Sequence, residues 1–141
     1  MRKYFFTALL SLFLMSCEAE VIVTEQKVPA EIAGYLNDHF PANPVLQVVK
    51  GVDGLKLIYD ITLKDGIVVE FNKNKKVISI ESTGQLPGSV LPSEIAEFVA
   101  ANYPANYIIA WEKDSRNQQL KLDNGLELEF NRKGELLRID S

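Results

Sequence analysis

The sequence predicts an α+β fold made of two α-β-β-β-β repeats, on the basis of two internal matches and one change of periodicity. The segment VPAEIAGYLNDHFPAN at residues 28–43 recurs as LPSEIAEFVAANYPAN at residues 91–106. Farther along, GIVVEFNKNKKVISIES at residues 66–82 recurs as GLELEFNRKGELLRIDS at residues 125–141. After the first segment of each copy, the apolar residues change from helical spacing to alternation. The chain is therefore a tandem repeat of one helix followed by four antiparallel strands.

Each repeat begins with a short amphipathic helix between two prolines. Pro29 and Pro92 stand at the expected first helical positions, where a missing N–H breaks no hydrogen bond, and Pro41 and Pro104 end the helices. Apolar residues three and four positions apart form one stripe on each helix, which we expect to pack against the sheet. The stripes consist of Ile32, Tyr35, Leu36 and Phe40 in the first helix and of Ile95, Phe98, Val99 and Tyr103 in the second.

Four strands are expected after each helix, the first at residues 45–50 and 108–113. In the second strand of repeat one, at residues 55–64, every other residue is apolar, which is typical of a half-buried strand. Asp65-Gly66 and Asn124-Gly125 predict hairpin turns in which both residues adopt positive φ. The third strands are then expected to point a matching set of side chains inward: Ile67, Val69 and Phe71 in repeat one, and Leu126, Leu128 and Phe130 in repeat two.

A second turn precedes the last strand of each repeat, at residues 72–75 and 131–134. Gly134 suits the left-handed conformation expected there, whereas Lys75 at the equivalent position predicts slight strain. We expect the last strands to bury two apolar residues each, Ile78 with Ile80 and Leu137 with Ile139.

The two repeats are expected to form one domain at residues 28–141, with repeat one at 28–83, a linker at 84–90 and repeat two at 91–141. Edge-to-edge pairing into one sheet of about eight strands would hide two of the four free sheet edges. Two separate units would instead leave Trp111 poorly covered. The four residues by which repeat one is longer fall between residues 50 and 55.

The N-terminus has the pattern of a secretory signal peptide at residues 1–16. Two cations precede an apolar run that is too short to form a stable membrane span. Cys17, the single cysteine, follows Leu14-Met15-Ser16 in a sequence that resembles a bacterial lipobox. We expect Cys17 to carry a lipid and residues 17–27 to be a tether; the alternative is an incidental thiol at the end of a discarded leader. The expected location is the periplasmic face of the outer membrane or the cell surface.

Charge limits the classes of partner. Removing residues 1–16 leaves 13 basic and 19 acidic residues, a net charge of −6. Nucleic acid is therefore not an expected partner, because affinity for phosphates depends on lysine and arginine. An acidic body is also repelled by anionic lipid headgroups, so we expect contact with the membrane through the lipid anchor alone.

The repeated segments carry a family resemblance. A proline at the helix start, an aromatic-proline helix end and a strand that ends in Glu-Phe-Asn resemble the PepSY-like, β-lactamase-inhibitor-like family of secreted bacterial proteins. The segment at residues 124–130 matches the family pattern, whereas repeat one has Asp65 and Val68 in place of its Asn and Glu. The resemblance implies a β-lactamase-inhibitor-protein-like fold, with two helices on one face of an eight-stranded sheet and an open, concave opposite face. It implies no catalytic residues, and it does not imply inhibition of β-lactamase.

Few residues in the sequence are candidates for catalysis or metal binding. The lone histidine, His39, lies near a helix end and is interpreted as structural or surface-exposed. Glu127 and Glu129 share a strand face about 7 Å apart, a distance compatible with paired-carboxylate catalysis, but a solvated sheet face is the better interpretation. The acids Asp53, Asp60 and Asp65 lack the spacing of a calcium loop. We therefore expect no enzymatic activity, no metal site and no cofactor.

The open face of the sheet remains as the candidate site. Alternation places a mixed set of side chains there, with more apolar residues in repeat one, where we expect the centre of any contact. The predicted binding face comprises Ile58, Asp60, Thr62, Val68, Glu70, Val77, Ser79, Lys121, Glu127, Glu129 and Arg138. Two functions stay open. The first is a non-enzymatic module that binds, and could inhibit, an unidentified periplasmic or surface protein; the alternative is a structural envelope protein that acts by self-association.

Overall fold

The computed structural model of the protein describes the backbone of residues 21–23, 28–53 and 56–141 and the side chains of residues 28–51 and 56–141. The expected signal peptide, Cys17 and most of the expected tether lie outside the described residues. One part of the tether is structured, because Val21–Val23 form a strand that pairs with the first strand of repeat one.

One antiparallel sheet of nine strands contains both repeats, and the order of strands in space follows their order along the chain. Helices α1 (Ala30–His39) and α2 (Ser93–Asn102) each precede four strands, as predicted. The ninth strand is the N-terminal addition. The strands are β1 (Val21–Val23), β2 (Val45–Asp53), β3 (Lys56–Leu63), β4 (Ile67–Asn72), β5 (Val77–Glu81), β6 (Ile108–Lys113), β7 (Asn117–Leu122), β8 (Glu127–Asn131) and β9 (Leu136–Asp140).

The repeats join where β5 pairs with β6. Ile80 lies opposite Trp111 in this pairing, and both side chains are buried. The linker is packed as well, since Leu86 and Val90 are buried and the Leu86 N–H donates to the carbonyl of Ile108. The prediction of one continuous sheet is therefore confirmed, and the alternative of two separate units is not.

Both helices pack on the same face of the sheet, and equivalent aromatic pairs anchor them. The ring of Tyr35 meets that of Phe71 edge to face, with centroids 5.5 Å apart, and Phe98 meets Phe130 in the same way at 5.3 Å. Phe71 and Phe130 are fully buried. Burial also raises the pKa of the Tyr35 hydroxyl to about 12, because the phenolate would lose its hydration.

The helices begin one residue later than the sequence predicts. Pro29 and Pro92 precede the first helical residues, and their carbonyls accept the N–H groups of the third and fourth residues of each helix. The predicted stripes are confirmed, with Ile32, Leu36 and Phe40 buried in repeat one and Ile95 and Val99 in repeat two. No helix among the described residues is both long and apolar enough to cross a membrane.

The asparagine after each helix ties the helix end to the β3–β4 or β7–β8 turn. The Asn43 amide donates to the carboxylate of Asp65, and the Asn106 amide donates to that of Asp123, both at 3.0 Å. Asp123 also accepts the N–H of Tyr107, and these bonds hold the pKa of its carboxyl below the usual range, the backbone bond contributing most.

The hairpin turns confirm the φ predictions with one exception. Asp65 and Gly66 both have positive φ, as do Lys75 and Gly134 in the later turns. Asn124, however, does not adopt positive φ. The Gly125 N–H closes this turn by donating to the carbonyl of Leu122, and the left-handed conformation falls on the glycine, with φ of 90°.

The last strands differ from the prediction because each contains a bulge. Val77 lies opposite Phe71 while Ser79 lies opposite Glu70, so Ile78 is an extra residue that reverses the alternation before it. Val77 therefore faces the helices with Ile80 and is buried, and its assignment to the open face is wrong. Ile78 is half-buried. The same bulge occurs at Leu137, and within the described ranges no strand pairs with the outer edge of β9, so Leu137 and Ile139 are 54% and 48% exposed, not buried.

The extra length of repeat one extends one hairpin. Strand β2 has nine residues and pairs with β3 as far as Asp53 opposite Lys56, whereas β6 has six. Each first strand also has an irregularity near its start, which leaves Leu46 exposed.

Candidate functional site

The open face consists of two rows of side chains that run across the strands from β3 to β9. Strand register places neighbouring members of each row directly opposite one another. The first row is Asp60, Glu70, Ser79, Glu112, Gln119, Glu129 and Arg138, and the second is Thr62, Val68, Glu81, Ala110, Lys121, Glu127 and Asp140. Ile58 lies beside them at the end of β3 that is paired with Asn72. Ten of the eleven residues predicted for this face are therefore brought together, and Val77 is not.

A groove of about 230 Å³ lies on the part of this face formed by β5 to β9. Its charged lining comprises five acids and two bases, a net charge of −3: Glu81, Glu112, Glu127, Glu129 and Asp140 against Lys121 and Arg138. The sequence placed the centre of a binding site on repeat one. The groove lies instead on repeat two, with Ser79 and Glu81 contributed by the adjoining strand of repeat one.

The two bases of the groove are already engaged by acids. Lys121 Nζ lies 3.8 Å from Glu127 Oε1, while Arg138 lies 3.5 Å from Glu129 and 2.6 Å from Asp140. In the described part of the chain, Glu81 and Glu112 have no ion-pair partner. The groove is therefore negative in sum and has no basic side chain to spare for these two carboxylates.

Glu129 is the most firmly held of these acids. Its side chain is 19% exposed, and its carboxylate accepts the amide of Asn117 at 2.6 Å from one side and Arg138 from the other. It therefore links β7, β8 and β9. Together with the pair of Lys121 and Glu127, these contacts link side chains across the groove before any partner binds.

The sequence did not single out Glu112 or Ala110, both of which line the groove. The irregularity at the start of β6 interrupts its alternation and hides the pattern. A buried tryptophan at position 111 was the available signal, because the residues on either side of an inward-facing side chain point outward.

The catalytic hypothesis for Glu127 and Glu129 gains no support from the geometry. Both carboxylates face the groove, but each contacts a cation, and neither lies in an apolar pocket of the kind that surrounds the general acid of some glycosidases. His39 lies outside the groove and bonds Ser89 at 2.9 Å while its ring packs on Tyr35. Among the described residues, no group of three or more His, Cys, Asp or Glu side chains is arranged so that it could hold a metal ion.

The repeat-one part of the face is more closely packed. Asp60 lies opposite Glu70 in the β3–β4 pairing, and both are half-buried and engaged in interactions within the protein. Ile58 and Val68 are half-buried beside them. With Val77 facing the helices, this half presents a smaller apolar area than the sequence predicts.

The Glu-Phe-Asn motif has one structural role for each residue. In repeat two, Glu129 lies on the open face, Phe130 lies in the core, and the Asn131 side chain accepts the N–H groups of Lys133 and Glu135 in the next turn. Asn72 accepts the equivalent pair in repeat one. The motif thus connects the core, the open face and the last turn of each repeat.

Comparison with known families agrees with this architecture. A model described as beta-lactamase-inhibitor-like, PepSY-like matches residues 15–79 and again residues 56–138. The chain belongs to the PepSY-like family. Two matches in one chain are what a tandem repeat of PepSY-like units produces.

Solved structures of similar proteins have the same fold. A periplasmic protein of the DUF2874 family from Bacteroides vulgatus is 25% identical with a TM-score of 0.84, and the match covers 89% of this chain and 99% of that one. A periplasmic protein of unknown function from the same species is 26% identical with a TM-score of 0.81, with 87% and 100% covered. A protein from Bacteroides thetaiotaomicron, described as calcium-regulated and periplasmic, is 25% identical with a TM-score of 0.82, with 86% and 97% covered. No curated protein matches the sequence.

These periplasmic descriptions support export of this chain. Neither the family description nor the three structures indicate an enzymatic activity.

Proposed function

We propose that this PepSY-like protein is an exported, non-enzymatic binding module that holds a cationic segment of another protein on its open sheet face. One observation carries the proposal: the uncovered face contains a groove whose five acids outnumber its two bases. Both helices pack on the opposite face, and no other described element lies over the groove, which favours access by a second protein.

Charge favours a basic partner over a neutral or acidic one. Both bases of the groove are already paired with acids, so an incoming lysine or arginine would meet Glu81 and Glu112 without displacing an existing ion pair. Complementary charge also steers encounter and suppresses acidic partners. From β3 to β9 the face is about 29 Å wide at the usual strand spacing, which is enough for a helix or a loop.

The preformed network favours binding by lowering its entropic cost. Glu129 is held between Asn117 and Arg138, so fewer side chains of the groove need to be ordered when a partner arrives.

We further propose that a lipid on Cys17 anchors the module in the envelope. The lipobox-like Leu14-Met15-Ser16-Cys17 and the periplasmic relatives support this. Replacing Cys17 with Ser should leave the protein in the soluble periplasmic fraction, while the unchanged chain should partition with membranes and incorporate labelled fatty acid. Equal membrane retention of both forms would argue against the anchor.

The binding proposal is tested by affinity capture from envelope extract with residues 18–141, which contain every described element. We expect captured proteins with basic segments, and loss of capture at raised salt because the charges are exposed. Glu112→Lys should weaken capture at least about tenfold, since it replaces an attraction with a repulsion. The matched control is Glu97→Lys, an exposed charge reversal on α2 that should leave capture unchanged.

A second pair of variants locates the contact. Ile58→Asp and Val68→Asp alter the repeat-one half, where the sequence placed the centre of binding, and they should weaken capture less than Glu112→Lys does. Equal loss with Glu97→Lys and Glu112→Lys would point to general charge rather than the groove. The capture is repeated with calcium and with a chelator, because one structural relative is described as calcium-regulated.

A further inference from the structure

Strand β9 forms one edge of the sheet, and the internal repeat provides a direct comparison for it. Its equivalent in repeat one is β5, which contains the same bulge at the same place. Ile80 of β5 is completely buried, whereas the equivalent Ile139 of β9 is 48% exposed. Leu136 and Leu137 are also exposed on β9.

The difference arises because β6 of the next repeat pairs with β5, whereas no strand among the described residues pairs with the outer edge of β9. Trp111 of β6 lies opposite Ile80 and completes its burial. The fold therefore shows what covers such an edge: an antiparallel strand from another unit of the same kind.

A second copy of the chain cannot supply this cover in the same head-to-tail manner. The strand equivalent to β6 is β2, and its outer edge is already paired with β1 through residues 48–50. The copy's own β9, in contrast, has no described strand paired along its outer edge. Pairing of β9 with β9 is also symmetric and closes after two chains, as most soluble oligomers do.

We propose that two copies of the protein join through β9 in an antiparallel pair centred on Ile139. A two-fold axis perpendicular to the sheet then keeps the helices of both copies on the same side. In this register Ile139 lies opposite Ile139 of the second copy, while Arg138 lies opposite Asp140 and Asp140 opposite Arg138.

The charges of β9 select this register. Moving the centre to Arg138 would place two arginines opposite one another, and like charges in directly opposed positions destabilise a sheet. A shift by one position in one copy alone would put open-face residues opposite helix-face residues. The 2.6 Å bridge between Arg138 and Asp140 shows that both side chains lie on the open face, within reach of a neighbouring strand.

A cysteine pair tests the register directly, using residues 18–141, in which no native cysteine remains. Ile139→Cys places two cysteines opposite one another at a Cα separation of about 4.5–5.5 Å, within the range of a disulfide. Leu137→Cys is the matched control, because it is similarly exposed but lies about 14 Å from its counterpart in the proposed register. On mild oxidation, we expect a covalent dimer from the first variant and little from the second.

Charge exchange gives an independent test by light scattering across a concentration series. The unchanged protein should have twice the monomer mass, and Arg138→Asp or Asp140→Arg should each weaken the dimer at least about tenfold. The double variant should restore it, and so should an equimolar mixture of the two single variants. Circular dichroism establishes that each variant is folded, which is needed because Arg138 also pairs with Glu129 within the same chain.

Several outcomes would overturn the proposal: a monomer at every concentration, growth beyond the dimer, equal cross-linking of the two cysteine variants, or no recovery in the folded double variant. The cross-linking outcomes do not bear on the groove, because Ile139 and Leu137 are not part of its lining, whereas Arg138 and Asp140 are.

Discussion

Repeat one and repeat two have matching interiors and different exteriors. Tyr35 on Phe71 and Phe98 on Phe130 are equivalent ring pairs, and Asn43 and Asn106 make the same tie from helix end to hairpin turn. The open face differs, since repeat two holds most of the charged groove while repeat one presents half-buried apolar residues and closely packed acids. These interior contacts lie within each repeat, so each repeat forms the same local fold. The outward positions take no part in these interior contacts and can specialise separately.

The largest expected effect tests whether the two cores are equivalent. Phe71→Ala and Phe130→Ala each remove a fully buried ring that supports a helix, and each should lower the free energy of unfolding by about 3–5 kcal/mol. Because β5 and β6 join the repeats, we expect one cooperative transition in urea for all three proteins. A separate early transition in either variant would show that the repeats unfold independently.

Substitutions in the last turn of each repeat should change the stability of the protein in opposite directions. Gly134→Ala would place a Cβ 2.7 Å from that of Glu94 at a positive φ, and we expect a loss of about 2 kcal/mol. Lys75 has a positive φ in the equivalent turn, which glycine adopts without strain. Lys75→Gly should therefore stabilise the protein by about 0.5–1 kcal/mol. Thermal unfolding of both variants measures the difference. If both variants change stability in the same direction, the expected difference between the two turns is wrong.

The smallest expected effect is on protein stability at low pH, through the hydrogen bond between Asn106 and Asp123. The backbone N–H of Tyr107 and the Asn106 amide hold the pKa of Asp123 below its ordinary 3.8, so its contribution is present above that pH and is lost as pH falls through the folded-state pKa. Asp123→Asn should therefore flatten the acid side of the stability curve. The comparison variant is Asp65→Asn, which changes the equivalent hydrogen bond from Asn43 in repeat one. Carboxyl chemical shifts followed against pH give the Asp123 pKa directly.

Sequence periodicity predicted the repeated helices, the joined sheet and ten residues of the open face, because burial on one side imposes a regular pattern. It failed where one extra residue interrupts that pattern. The bulge at Ile78 turned Val77 toward the helices, and the irregularity in β6 concealed Glu112. Alternation gives no warning of a bulge, because the inserted residue can itself be apolar.

Two other incorrect predictions depend on which strand lies alongside a segment, which the sequence alone does not reveal. Ile139 has the pattern of a buried residue, but its exposure is decided by whether another strand lies alongside. Val21–Val23 were assigned to the tether, although β2 offers them an edge to pair with. The groove belongs to this class as well, since it is formed by side chains from five strands.

The agreement between strand order and chain order has a consequence for how the protein forms. Every strand pairs with the one made immediately before it, so no pairing has to wait for a distant segment. Such local topologies have low contact order and fold fast for β-rich proteins. A chain delivered across a membrane from its N-terminus could thus assemble its sheet strand by strand as it emerges, with repeat one complete before repeat two arrives.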